Sequence, residues 1–419
     1  MRTTSWRSFA AATVGLIAGV NAQTGQLTDL GTLLSGQKNL TTFYGLIQID
    51  LQKYPQILLQ LPSFNGVTIL APNNDAFDKI PYSSLNNAFK NNDQDVITNV
   101  LEYHILQGTR LAAQLVPGTP VFIPTLLTSP EYTNVTGGQN VQNVEQAGDV
   151  VVFVSGLGSR STLTQKDLSF NGGVVQVIDS LLIPPANLTD TLNAFNYTAF
   201  EGGLYASDLV ETFTTQPNVT IFAPADSAFQ ALGPAIANMT SDELATILDY
   251  TILPKIVYST GLTNGTKFLT QQGENITILH SGNNVYVNSA QLIQADILIA
   301  NGVLHVIDNV LNPQGPGAQP NPQLATQVPA FASASSIDFL PYTSAIPCTV
   351  SCPVSSTSGS SSITRTSSVG AQSTGASTGT STTSHSSSSS KGLAAAMARE
   401  TGFGAAGLMV ALGGAVLMI

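Results

Sequence analysis

Charge is scarce in this chain. Only 9% of its 419 residues are Asp, Glu, Lys or Arg, and 14 basic residues stand against 25 acidic ones, for a formal net charge of −11. No basic cluster interrupts that balance, which excludes nucleic acid, whose phosphates demand Lys and Arg. Two cysteines are too few for a disulfide scaffold or a zinc-ribbon module. The four histidines form no HExxH pair, so the sequence implies neither a metal nor a cofactor. Hydrophobic residues make up 43% of the chain, enough for a core. A surface so poor in ions is solvated by Asn, Thr, Ser and sugar.

Both ends read as processing signals. Residues 1–22 have the pattern of a secretory signal peptide: Arg2 and Arg7, an uncharged stretch from Phe9 to Val20, then small residues at Val20-Asn21-Ala22. At the other end Phe403 to Ile419 carries no charge and stops without basic residues. Small residues over Ser386–Ser390, a short polar spacer and this apolar tail together match a GPI-attachment signal over 392–419, with Ser390 or Gly392 as attachment candidates. A tail anchor is the alternative. Ser355 to Ser390 holds 17 Ser and 8 Thr in 36 residues, a composition that cannot bury a core and reads as a disordered, O-glycosylated stalk. The Pro-rich stretch before it reads as a linker, so 314–391 is expected as a tether averaging roughly 50 Å as a free coil. Cys348 and Cys352, spaced CTVSC, form either a local disulfide or a link to another chain.

Between these ends lies a tandem repeat. Val67-Thr-Ile-Leu-Ala-Pro-Asn-Asn-Asp-Ala-Phe77 aligns with Val219-Thr-Ile-Phe-Ala-Pro-Ala-Asp-Ser-Ala-Phe229, seven of eleven residues being identical. Leu101 to Leu106 aligns with Leu248 to Leu253, and Gly173 to Leu182 with Gly302 to Leu311. The offsets shrink from 152 through 147 to 129, so between the first and last matched blocks the first copy (23–186) holds 23 residues more than the second (187–313), mostly within Thr109–Lys166. Thr125 to Gln146 in that stretch reads as an exposed loop. Val-Thr-Ile-Leu/Phe is a half-buried strand, closed by Ala-Pro and followed by a short helix whose N-cap comes from Asn73 to Asp75, or from Asp226 in the second copy. Ile97–Leu106 and Leu244–Leu253 read as helices running into strands. Asn171-Gly172 and Asn301-Gly302 mark tight turns, and the runs to Leu182 and Leu311 read as strands. Ile276–Leu279 and Val285–Val287 flank a hairpin turn. Helices early and strands late imply an α+β fold rather than βαβ winding.

The ordered blocks, ending in Asn-Gly-Val-Leu-His-Val-Ile-Asp-Asn-Val-Leu, resemble the fasciclin (FAS1) domain in two copies. With the stalk and terminal signals the layout is similar to fungal fasciclin-domain surface proteins. The resemblance implies a β-wedge or sandwich with surrounding helices, and adhesion to cells, matrix or wall, or to itself. Tyr103-His104 matches the family's Tyr-His pair, whereas Tyr250 precedes Thr251. His305 matches the histidine of the last block, where the first copy has Gln176. Asp296-Ile297, and more weakly Asp167-Leu168, match a pair implicated in integrin contact in animal members. As plain residues Tyr103, His104 and His305 read as core residues with satisfied hydrogen bonds, and Ile297 as core at a strand edge.

Two matches mislead. Gly375-Ala-Ser-Thr-Gly379 fits GxSxG inside the stalk, and Gly402 to Gly407 fits GxGxxG inside the tail; neither has the strand and helix the chemistry needs. Asp242-Glu243 reads as a helix start. No nucleophile, base and orienting group assemble, so the reading is a non-enzymatic surface protein. A hydrophobic or sterol-like ligand module and a wall-glycan enzyme are the rivals. Glycosylation sequons stand at Asn39, Asn134, Asn187, Asn196, Asn218, Asn238, Asn264 and Asn275. Of these Asn187, Asn196 and Asn264 read as the most exposed.

Overall fold

The computed structural model describes residues 28–53, 66–114, 120–146, 150–315, 317–332 and 334–347. Residues 1–22, read above as a signal peptide, Cys348 and Cys352, the Ser/Thr-rich stretch read as a stalk, Ser390, Gly392 and the apolar tail lie outside the described residues.

Each copy opens with helices and closes with strands. In the first, helices Leu30–Ser35 and Thr41–Lys53 precede β1 (Val67–Pro72), and helices Asn74–Phe77, Asn86–Lys90 and Gln94–Tyr103 follow it. Then come β2 (Ile105–Gln107), β3 (Val121–Pro124), β4 (Asn140–Gln146), β5 (Val150–Val154), β6 (Arg160–Phe170) and β7 (Gly173–Ile178). In the second, helices Leu188–Phe195, Thr198–Ala206 and Val210–Thr215 precede β8 (Val219–Pro224), with helices Asp226–Leu232, Pro234–Ala237 and Ser241–Asp249 after it. Strands β9 (Ile252–Leu253), β10 (Lys267–Leu269), β11 (Asn275–Ser281), β12 (Asn284–Val287), β13 (Ala290–Ile299) and β14 (Gly302–Ile307) complete the copy.

The two seven-stranded sheets share one topology. Their orders are β2-β1-β7-β6-β5-β4-β3 and β9-β8-β14-β13-β12-β11-β10. One pair in each is parallel, β1 with β7 and β8 with β14. The sheets curl until their edges meet: Leu126 N–H donates to Ile105 O, and Gln271 N–H to Ile252 O, both at 2.9 Å. Each domain is therefore a barrel-like sheet with helices on one side, the expected α+β arrangement.

Strand β1 is buried along its whole length, and the two-residue pleat period sends its side chains to opposite layers. Val67, Ile69 and Ala71 pack with Phe43 and Leu34 of the helices, whereas Leu70 packs inside the curl with Tyr103, Val141 and Phe153. Strand β8 divides likewise, with Val219, Ile221 and Ala223 toward Phe200 and Phe222 toward Tyr250.

Several local expectations hold. Asn73 caps its helix, accepting from Ala76 N–H at 2.8 Å, and β11 pairs with β12 as the expected hairpin. Others are corrected. The cap residue in the second copy is Ala225, while Asp226 caps a neighbouring helix by accepting from Ala199 N–H at 2.9 Å. Asn74 does the same for Thr42 N–H at 3.1 Å. The two Asn-Gly pairs are not equivalent: Asn171-Gly172 forms a turn, but Gly302 is already the first residue of β14. The final strands end at Ile178 and Ile307, short of the expected Leu182 and Leu311.

Thr125–Gln146 is not an exposed loop. Leu126, Leu127, Tyr132, Val135, Gln139 and Val141 are buried within it, and it ends in β4. The Pro-rich segment after 313 is no free linker either. Its Phe331, Ala334, Leu340 and Tyr342 pack on the second domain's helical core. Ile337 N–H donates to Gln230 O at 3.0 Å, and the Tyr342 hydroxyl donates to Ile236 O. This strap, 314–347, crosses the helix Thr198–Ala206 so closely that a Cβ on Gly202 would lie 2.3 Å from Tyr342 O.

Gly45 holds the equivalent position in the first copy (Thr41-x-Phe43-x-Gly45 against Thr198-x-Phe200-x-Gly202), and among the described residues a Cβ there would meet nothing within 4 Å. Ala exceeds Gly in helix preference by about 1 kcal/mol. Gly45→Ala is therefore expected to raise the denaturation midpoint of the first domain, and Gly202→Ala to lower that of the second by about 1–3 kcal/mol through overpacking. Denaturant titration of the two variants, side by side, reads the opposite signs.

Candidate functional site

The matched acidic residues occupy strained backbone. Asp167 and Asp296 both have φ of 61°, a left-handed conformation that Asp tolerates better than most residues. In the second copy Asp296 N–H donates to His305 Nδ1 at 3.1 Å, and His305 Nε2–H donates to Val257 O at 2.8 Å. Those two bonds fix a neutral ring protonated at Nε2. In the first copy Asp167 N–H donates to Gln176 Oε1 at 2.9 Å, while Gln176 Nε2 donates to Arg110 O at 3.0 Å and to Asp167 Oδ1 at 2.8 Å. A glutamine amide offers the same acceptor and donor as that imidazole, so the substitution preserves the network. The carboxylates complete it: Asp167 Oδ1 accepts from Ala112 N–H at 2.9 Å, and Asp296 Oδ1 from Ser259 N–H at 2.8 Å. The Ser259 hydroxyl also donates to Asp296 Oδ2.

Ile297 is 5% exposed and lies in the second domain's core, and Leu168 packs half-buried against the first domain's core. The pair that resembles an integrin contact thus faces inward in both copies.

Tyr103 and His104 are equally enclosed. The Tyr103 hydroxyl donates to Asn140 O at 2.8 Å, as Tyr250 does to Asn275 O at 2.9 Å. His104 Nδ1–H donates to Val100 O at 2.7 Å, and Nε2 accepts from Leu182 N–H at 2.9 Å. In the second copy Thr251 keeps only the helix side of that tie, donating to Leu248 O at 2.7 Å. Burial holds the His104 imidazole down at about 4, and lowers that of His305; both rings are structural at neutral pH.

The motif networks meet at a seam between the domains. The Tyr258 ring stacks on Phe122 with centroids 3.6 Å apart and planes within 3°, and Asn140 hydrogen-bonds the Tyr258 hydroxyl. Asn140, Tyr258 and Ser259 therefore join the Tyr103 and Asp296 networks. The 125–139 insertion supplies the rest. Asn134 N–H donates to Ala300 O at 2.8 Å, Gln139 Nε2 to Ile299 O at 3.0 Å, and Thr136 N–H to Asn218 Oδ1 at 2.8 Å. Sequence reasoning missed Gln139, Asn140, Tyr258 and Ser259; the one available signal was the unequal length of the copies, which marks where the insertion sits but not what it touches.

The sequons divide by position. Asn39, Asn196, Asn238, Asn264 and Asn275 are exposed, whereas Asn187, expected in an exposed loop, is a half-buried N-cap accepting from Asp190 N–H at 2.8 Å. Asn134 is exposed yet donates to Thr215 O, and Asn218 is half-buried in the seam. Among the described residues no group of three or more His, Cys, Asp or Glu could hold a metal ion, and no helix is long and apolar enough to cross a membrane.

One buried acid stands apart. Glu201 is 1% exposed; its Oε1 accepts from Asn193 Nδ2 at 2.9 Å, while Oε2 and the nearby Asp190 Oδ2 have no partner among the described residues. Burial, with some help from Asp190, pushes the Glu201 carboxyl up to about 7.

Two predictions follow from these geometries. His305→Ala strands a buried N–H and a carbonyl and should cost about 3 kcal/mol, whereas His305→Gln, copying the first domain, should cost under about 1 kcal/mol; urea midpoints distinguish them. Because the folded-state value of Glu201 is raised, its contribution is present below pH 4.5 and lost as pH climbs toward 7. The wild-type urea midpoint should therefore fall relative to that of Glu201→Gln across this window. His104 acts in the opposite sense, its contribution being present above pH 6.5 and lost as pH drops toward 4.

Comparison with known proteins bears on this arrangement. A sequence profile of the fasciclin domain matches residues 38–184 and 195–313. A fasciclin-like arabinogalactan protein of Arthroderma benhamiae is 33% identical over 299 residues, covering 71% of this chain and 70% of that protein. A fasciclin-like arabinogalactan protein of Phaeosphaeria nodorum is 26% identical over 68% of this chain and 88% of its own length. Among solved structures, a FAS1 domain pair from the insect cell adhesion molecule Fasciclin I aligns at 20% identity and a TM-score of 0.31, covering 65% of this chain and 97% of that one. With two matched segments, one for each of the two like-ordered sheets described above, the chain belongs to the fasciclin domain family as a tandem FAS1 protein.

Proposed function

We propose that this chain is a non-enzymatic adhesion protein of the outer cell surface. It presents two docked FAS1 domains on a glycosylated tether that a GPI lipid holds to the membrane, and its partner is a wall or matrix component or a second copy. The observation that carries this reading is the docked pair. The family's polar motif residues are committed to internal bonds, so they act as scaffold and leave recognition to the outer surface of a two-domain body. The fungal relatives named above are fasciclin-like arabinogalactan proteins, which supports a glycosylated protein at the wall. Contacts on such a surface are individually weak and gain strength from many copies on one membrane.

The strap shortens the tether. With Phe331, Ala334, Leu340 and Tyr342 packed on the second domain, those residues add nothing to the reach of the proposed tether.

The test has two steps. Phosphatidylinositol-specific phospholipase should release the protein from intact cells, and the freed protein should bind cells, wall polysaccharide or itself in a pull-down. Release without any such binding, together with unchanged cell adhesion on deletion of the gene, would sink the adhesion reading. Retention on the cell after phospholipase would refute the lipid anchor alone.

A further inference from the structure

We infer that the Asn218 sequon is a docking latch, at which an N-linked sugar and contact with the first domain exclude each other. Asn218-Val-Thr220 carries the acceptor pattern, yet its amide is already engaged across the seam. Thr136 N–H donates to Asn218 Oδ1 at 2.8 Å, and Asn218 Nδ2 donates to the Thr136 hydroxyl at 2.7 Å. Both atoms of one amide face one residue, so the hydrogen in use lies on the same side as Oδ1.

That side is where a sugar would attach. Glycan transfer joins the anomeric carbon of a lipid-linked oligosaccharide to Nδ2, breaks that carbon's bond to the diphosphate carrier and releases one Nδ2 proton. The product is a secondary amide, and secondary amides strongly prefer the planar form whose substituent shares a side with the carbonyl oxygen. In the docked pair that place belongs to the Thr136 hydroxyl, 2.7 Å away. The left-handed backbone of Asn218, with φ of 57°, aims the amide across the seam.

The insertion on the other side carries a sequon of its own, Asn134-Val-Thr136, whose threonine is the residue Asn218 grips. Asn134 is exposed, and its Nδ2 donates across the seam to Thr215 O, a bond that by itself does not fix the hydrogen in use, so the same-side constraint applies to Asn218. Exposed Asn196 and Asn264 sit in turns, where a sugar would leave the Asn218–Thr136 bonds in place. A chain sugared at Asn218 before it folds presents two domains with an opened seam, whereas a chain that docks first shields the site. Occupancy at this one asparagine thereby sets whether the pair acts as a single body.

The test is hydrogen exchange with site-resolved glycopeptide analysis on protein secreted from a glycosylating host. Molecules bare at Asn218 should protect the amides of 133–139. Molecules carrying sugar there should exchange those amides at least tenfold faster, with β1 and β8 peptides unchanged as the folding control. Equal protection in both populations would overturn the latch. Should every molecule be bare, Asn218→Gly, which keeps the positive φ and removes the side chain, decides. Loss of protection over 133–139 supports the latch, and protection unchanged from wild type refutes it.

Discussion

A parallel strand pair sits at the centre of each domain, and the rest of the fold is arranged around the closeness of its two backbones. At the start of β7 and β14, Gly173 and Gly302 lie so near β1 and β8 that an added Cβ would stand 2.0 Å from Val67 O and 1.9 Å from Val219 O. Parallel strands require a long crossover between them, and here that crossover is nearly the whole domain: the short helices and the strands that curl into the barrel. Side chains on the central strands consequently face either the helices or the interior of the curl, and both layers are apolar. The matched glycines, Val-Thr-Ile strands and buried tyrosines are requirements of this packing.

The polar motif residues serve the same architecture. Asp167 and Asp296 bend β6 and β13 where register shifts interrupt their pairing with β7 and β14. A bulge with left-handed backbone needs partners for the groups it frees, and Gln176 and His305 supply them from the adjacent strand. The exchange of imidazole for amide between the copies shows that bonding pattern, and not basicity, is what the position demands. Tyr103 and Tyr250 play the corresponding part on the other side, pinning the start of β4 and β11 to the end of a helix.

Much of this was legible in the residues. Alternation and β-branching exposed β1 and β8, helical apolar spacing exposed Gln94–Tyr103 and Ser241–Asp249, and the repeated blocks gave the domain count. Long-range geometry was not. Thr125–Gln146 is rich in Thr, Asn and Gly and looked solvent-facing, because polar residues that bond across a domain seam have the same composition as those that bond water. Proline-rich 314–347 looked like a linker for a similar reason: it lacks periodicity, since a strap lying extended over helices buries scattered residues such as Phe331 and Tyr342 instead of a regular face. Asp226 was placed on the right helix terminus by type and on the wrong helix by contact, because the residue it caps, Ala199, is remote in sequence.

The central claim is that two copies of one folding unit hold the same buried bulge network, with glutamine standing in for histidine. Native-state hydrogen exchange at the Asp167 and Asp296 amides tests it most directly. The account predicts that each amide exchanges only through global unfolding of its own domain, in step with the amides of β1 and β8 respectively. Fast local exchange at either residue would contradict it, because the bulge would then be an open surface element and not a buried joint.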